Sequence, residues 1–350
     1  MDKLSETNVW AHEPTPVGII IYSVIIPTIS GLGILGNALI LAVLGGATLK
    51  ASTYTYLAVL AGADLVTCAL LLFSGLARGI FWGERGWLEF DAFVHLPLGS
   101  VSSNIAVWAA VCVTLDRLIL ISGPPKCKPP RFCDDKVAKK LMISCCFFSL
   151  MVNIPYCFIY TYNDDGHLTT TRFFESWLYD VQNWFQLAMF GLVPAVFLLV
   201  GNGIMCHAVR KAMRQRELFM KRRKIREGNC LRDQTRLTIT LVGIVFIFLV
   251  GEFPTHLASR RSAASILYGG DVNKIDEHFM ERFRMCCTVL NAISSSANFI
   301  LYCLLSPHFL RNLKNLAGWK TQTEKKQLRL KMQMVERLTK DSLICTKSLI

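Results

Sequence analysis

Apolar residues in this chain fall in long blocks, not at the spacing of an amphipathic surface helix. Seven blocks run from Val17 to Leu44, Tyr54 to Leu76, Phe93 to Ile121, Leu141 to Tyr162, Leu178 to Val209, Leu237 to Leu257 and Met285 to Leu305. At about 1.5 Å per residue each can cross roughly 30 Å of hydrocarbon, the longer ones with tilt to spare. The pattern predicts an all-α membrane protein, a seven-transmembrane helix bundle over residues 17–305. Residues 1–16 precede it and 306–350 follow. Just after the seventh block, Phe309, Leu313 and Leu316 share one face with basic residues between them, which predicts a short amphipathic helix 8 lying on the bilayer surface.

Composition fits this reading. Apolar residues make up 52% of the chain and charged residues 18%, too little polar surface to cover a soluble fold of this length. Of the 38 Lys and Arg residues, 29 fall at Arg117 near the end of block three, in the loops after blocks one, three and five, and in the C-terminal tail. The positive-inside rule puts those segments in the cytosol and the N-terminus outside, and the plasma membrane is the expected membrane. The net charge of +13 then follows from basic loops beside anionic lipid and calls for no nucleic acid. Lys221 to Lys224 adds a basic cluster to the loop from Arg210 to Arg236, which reads as helical extensions of spans five and six. The first sixteen residues are too polar for a signal peptide, so span one is expected to act as its own insertion signal. No Asn-x-Ser/Thr site occurs in the N-terminus or the outer loops. Most of the 13 cysteines lie inside spans or on the reducing side, and none has metal-ligand spacing, so neither metal nor cofactor is expected.

The polar residues inside the blocks carry the chemistry. They are Asn37, Asp64, Asn104, Asp116, Arg117, Asn202, Glu252, His256, Ser294 to Ser296 and Asn298. One polar side chain in hydrocarbon is ordinarily a helix-helix hydrogen bond. Acids such as Asp64 and Glu252 are costly enough there to suggest function.

These residues carry a resemblance. Gly36-Asn37, Leu60-Ala61-Gly62-Ala63-Asp64, Asp116-Arg117-Leu118, Pro194, Phe253-Pro254 and Asn298-Phe299-Ile300-Leu301-Tyr302 resemble, in order and by span, the fingerprints of rhodopsin-like (class A) G-protein-coupled receptors. Departures include Glu252 in the Cys-Trp-x-Pro motif, Asn202 for the Tyr of span five, a span four without Trp, and Ala92 where the family's outer disulfide begins. Ser52 to Leu57, Trp108, Asn202, Glu252-Phe253-Pro254 and Asn298 to Cys303 look like the FMRFamide, myosuppressin and sex-peptide receptors and their vertebrate orphan relatives.

The resemblance implies a receptor, not an enzyme, with a heterotrimeric G protein and arrestin as partners. It gives the activation switch to Asp116, Arg117, Asn202, Tyr302 and Asn298, with Arg117 held by Asp116 at rest and released toward Tyr302 and Asn202. It gathers Asn37, Asp64, Ser295 and Asn298 where relatives hold sodium. Ala106 replaces one oxygen ligand there, so hydrogen bonding is expected and sodium is not. Gly99 and Ala292 stand at the amine-binding and retinal-binding positions, which argues against either ligand. The expected ligand site is lined by Gly99, Ser100, Ser103, Gln186, Glu252, Thr255, His256, Ser259 and Thr288, with Trp177 and Trp184 near its mouth. It suits a short peptide ending in Arg-Phe-amide, whose guanidinium would meet Asp164, Asp165, Glu175, Asp180 or Glu252. Glu252 could instead hydrogen-bond His256 or the serines of span seven, and the ligand could instead be a free aromatic amino acid or other small molecule. A transporter would use the same intramembrane acids, but no paired repeats or broken helices are found. An intramembrane protease would need a nucleophile or acid dyad in a motif context that is missing. An insect-type odorant channel would require an inside N-terminus.

Overall fold

The computed structural model describes residues 14–46, 52–122, 131–164, 166–221, 225–258, 276–305 and 307–316. Among these, seven helices are long and apolar enough to span a bilayer: α1 (Pro16–Gly45), α2 (Ser52–Arg78), α3 (Trp87–Leu120), α4 (Asp135–Phe158), α5 (Trp177–Arg214), α6 (Thr238–Leu257) and α7 (His278–Leu304). The chain is therefore a multi-pass membrane protein with an all-α fold. A helix α8 (Pro307–Leu316) follows, in a second compact unit that begins at Pro307.

The helices pack in a ring. α1 meets α2, α2 meets α3, α5 meets α6, α6 meets α7, and α7 closes against α1, while α3 also touches α4 and α5. Small residues permit the close approaches, since apolar burial alone gives little drive between helices in lipid. A Cβ on Gly251 of α6 would collide with Ser294 and sit 2.9 Å from the Leu290 carbonyl of α7. The faces turned away from the ring are apolar, as Ile143, Phe147, Val196, Leu199 and Phe246 show, each more than half exposed. This inverts the soluble pattern and suits a hydrocarbon solvent.

Three helices widen into π-helical turns: Ile21–Ile25 in α1, Phe90–His95 in α3 and Leu187–Leu192 in α5. Each widened turn ends two residues before a proline, respectively Pro27, Pro97 and Pro194. Proline has no N–H and its ring crowds the carbonyl four residues back, so the preceding turn relaxes to the wider hydrogen-bond spacing.

The helix ends correct the sequence boundaries. α4 begins at Asp135 and takes in Lys136, Lys139 and Lys140, because a helix continues past the hydrocarbon wherever its charged ends reach water. It stops at Phe158, not Tyr162: a 3-10 turn at Ile154–Phe158 carries Pro155, and Tyr160–Tyr162 is strand β1. β1 pairs antiparallel with β2 (Leu168–Thr170), with Tyr160 opposite Thr170. Gly166 sits in the connecting turn at φ 76°, a value that glycine adopts without strain. The anticipated extensions are present, since the helix of α5 runs on to Lys221 and that of α6 starts at Ile225. Arg222 to Lys224 lie outside the described residues.

Candidate functional site: a cavity at the hairpin end and a buried Asp-Arg pair at the other

A cavity of about 670 Å³ opens among α1, α2, α3, α5, α6, α7 and the hairpin. The volume is in the range that holds a small molecule or the end of a peptide. All three widened turns reach it: Tyr22 comes from α1, Asp91, Ala92 and His95 from α3, and Leu187 from α5. Trp82, Phe174, Tyr160 and Tyr179 give it aromatic surface. Burial pushes the Tyr160 phenol well above its ordinary range, so this group stays a neutral hydroxyl.

One wall is ionic. Asp91, almost fully buried, accepts two hydrogen bonds from Arg78, at 3.0 Å from Nε and 2.7 Å from Nη2, and another from Ser74. His95 Nδ1 lies 2.9 Å from its other oxygen. This cluster joins α2 to α3 at the end where the family disulfide is missing. Glu281 and Arg284 of α7 complete the charged lining, and Arg284 Nε lies 3.4 Å from the Ala258 carbonyl of α6. Asn104 and Gln186, also in the lining, begin an amide ladder that runs away from the cavity lining. Asn104 donates to Gln186 at 3.1 Å, Gln186 to Asn153 at 3.0 Å, and Asn153 to the Ser149 carbonyl at 2.6 Å.

Of the expected ligand residues, Gly99, Ser100, Ser103, Gln186, Thr255, His256 and Thr288 line this cavity. Ser259 and Asp165 lie outside the described residues. Glu252 does not line it: this buried residue accepts a 2.7 Å hydrogen bond from Ser103, beneath the cavity. The bond ties α6 to α3, rather than to His256 or the α7 serines. Ser294 turns to the Ile247 carbonyl and Ser295 to Asn291. Trp177 and Trp184 are not at a mouth either; they stand 69% and 44% exposed on the outside of α5, and Trp82 takes the cavity position. Asp164, Glu175 and Asp180 are likewise absent from the lining, and its acids are Asp91 and Glu281. Sequence reasoning missed both. Asp91 lies just before the third apolar block and Glu281 just before the seventh, so the block boundaries leave both outside the spans.

The middle of the bundle holds two polar contacts that involve the expected core residues. Asn298 donates to Asp64 at 2.6 Å, and Asn37 donates to the Ser295 carbonyl at 2.8 Å, which links α7 to α2 and to α1. At the far end Asp116 is fully buried and accepts from Ser52 and Thr53 of α2, both at 2.5 Å. Arg117 lies 3.6 Å from Asp116 and also bonds Thr53. Asn202 instead faces α6, with Nδ2 3.5 Å from the Val242 carbonyl, so the structure does not bring it to Arg117. Tyr302 is buried on α7.

A seven-helix membrane bundle with a deep cavity at one end and a held Asp-Arg pair at the other has the architecture of a receptor, not of an enzyme. The chain belongs to the rhodopsin family of seven-transmembrane receptors, whose family model matches residues 36–302. It is 24% identical over 307 residues to the FMRFamide receptor of Drosophila melanogaster, an alignment that covers 82% of this chain and 52% of that receptor. The chain thus spans about half the length of that relative. It is 21% identical to sex peptide receptor-related protein 2 of Caenorhabditis elegans, over 85% of this chain and 71% of that one. With the Drosophila melanogaster sex peptide receptor it shares 20% identity, over 90% and 76%. Squid rhodopsin has a similar fold, with a TM-score of 0.70 at 13% identity, over 93% of this chain and 96% of that one.

Proposed function

We propose that this chain is a G-protein-coupled receptor of the plasma membrane for a short peptide ending in Arg-Phe-amide. Its N-terminus and hairpin end face outward, and residues 306–350 face the cytosol. The carrying observation is that one bundle has a cavity at one end and the buried Asp116–Arg117 pair at the other. A ligand that fits the outward cavity better in one arrangement of the helices shifts the population toward that arrangement. Arg117 then leaves Asp116 and Thr53 for Tyr302, Asn202 and the G protein. Asn298 and Asp64 carry the change through the middle, and arrestin uses the same inner face.

The names of the relatives support a peptide, and the cavity's aromatic and acidic lining suits a Phe ring beside a guanidinium. A free aromatic amino acid is the second reading, because Trp82, Phe174 and Tyr160 would stack on its ring equally well. The test is G-protein activation in cells that express the chain, screened with short Arg-Phe-amide peptides beside free Trp and Phe. Peptide responses are expected at lower concentration than any amino-acid response. A response to the amino acids alone overturns the peptide assignment. An epitope tag at the N-terminus is expected to bind antibody on unpermeabilised cells.

A further inference from the structure

The acids that a cationic ligand could meet differ in what already occupies them. Asp91 is taken by Ser74, Arg78 and His95. Glu252 is held by Ser103 below the cavity, and Asp64 by Asn298 deeper still. Glu281 alone lines the cavity and makes no hydrogen bond or ion pair among the described residues. Arg284, one turn along α7, would be its natural intrahelical partner. Its guanidinium Nε instead faces the Ala258 carbonyl of α6.

We infer that Glu281 is the residue that anchors the ligand's guanidinium, an inference that rests on the peptide reading above. The carboxylate sits near the start of a spanning helix and is partly buried, so an ion pair there is stronger than in open water while access from the cavity remains. A planar guanidinium can take both carboxylate oxygens at once, which a lysine ammonium cannot do with the same fit. Asp91, satisfied by its own cluster, keeps Arg78 neutralised, so the nearby arginine does not repel the incoming cation. Arg284 bounds the subsite on one side.

The test is a charge cycle on the full chain in cells, read as peptide potency in G-protein activation and normalised to surface expression. In the wild-type receptor, replacing the peptide's Arg by citrulline is expected to lower potency about 10- to 100-fold, the size of a hydrogen-bonded charge pair. In Glu281→Gln the Arg peptide is expected to lose a similar factor, while the citrulline peptide loses little more. Glu281→Arg is expected to prefer a peptide with Glu in place of Arg. If Glu281→Gln and the citrulline substitution each lower potency and their effects multiply, Glu281 is not the anchor while the peptide reading stands. If the wild-type receptor ignores Arg-Phe-amide peptides altogether, both readings fall. Equal potency of the Arg and citrulline peptides on the wild-type receptor also removes the anchor.

Discussion

At the scale of single residues, the Asp116–Arg117 pair was legible from its two charges at the end of an apolar block, but its full set of partners was not. Ser52 and Thr53 lie in a separate span, and only the fold brings their hydroxyls to Asp116. Removing a buried carboxylate's charge frees the groups that pair with it. Asp116→Asn is therefore expected to raise basal signalling, and Arg117→Ala to abolish coupling while surface expression persists. Full signalling from the Arg117 variant would take that residue out of the switch. Cys133 supplies an independent reading. Burial, with Asp116 beside it, holds this thiol up at about 11. At pH 8 roughly a thousandth of it is thiolate, so alkylation followed by peptide-level mass spectrometry should be slow and should rise toward pH 11. Without the Asp116 charge the thiol's pKa falls, and Asp116→Asn is expected to speed the modification at fixed pH. An unchanged rate would mean that Cys133 does not sense the pair.

At the scale of elements, the seven spans could be read from block length because a bilayer sets the length of any helix that crosses it. The cavity could not be read so fully. Seven of the nine expected ligand residues line it, since facing positions follow from the resemblance. Among the residues gained, Tyr22, His95 and Leu187 stand inside apolar blocks on turns whose phase is shifted by widening, and a 3.6-residue register misplaces them, whereas Asp91 and Glu281 lie just before their blocks. The signal was present in Pro27, Pro97 and Pro194. Each extra residue in a turn rotates the helix upstream by about 100°. Pro97→Ala lets α3 close to ordinary helix and should swing Asp91 away from Arg78. The expected result is a receptor that reaches the surface with about tenfold lower peptide potency, because Arg78 without Asp91 would repel the peptide's guanidinium by about the strength of one charged hydrogen bond. Unchanged potency would show that the wide turn survives without its proline. Gly251→Ala should act differently. It forces α6 off α7 at Ser294 and Leu290, an overpacking that costs about 1–3 kcal/mol, and should appear as a lower Tm of purified receptor.

At the scale of the whole molecule, the cavity and Arg117 lie at opposite ends of the bundle, and any influence of one on the other passes through the helices between them. The polar core stands on that route, with Asn298 of α7 bonded to Asp64 of α2 and Asn37 of α1 bonded to the Ser295 carbonyl of α7. Coupling between two binding events is reciprocal: the factor by which a G protein raises agonist affinity equals the factor by which agonist raises affinity for the G protein. Arg117→Ala should remove both together. A hard cation at Asp64 would be a third participant, and it needs several oxygen ligands. Asn298 already donates to one Asp64 oxygen at 2.6 Å, and Ala106, buried on α3, brings no oxygen of its own. Agonist affinity in membranes is therefore expected to stay flat as sodium replaces a bulky organic cation at constant ionic strength, while it still responds to the G protein. Asp64→Asn should weaken signalling by disturbing the bond to Asn298, without creating or removing any sodium effect. A steep fall of agonist affinity with sodium that disappears in Asp64→Asn would restore the ion to this site and make the hydrogen bond to Asn298 only one of its two states.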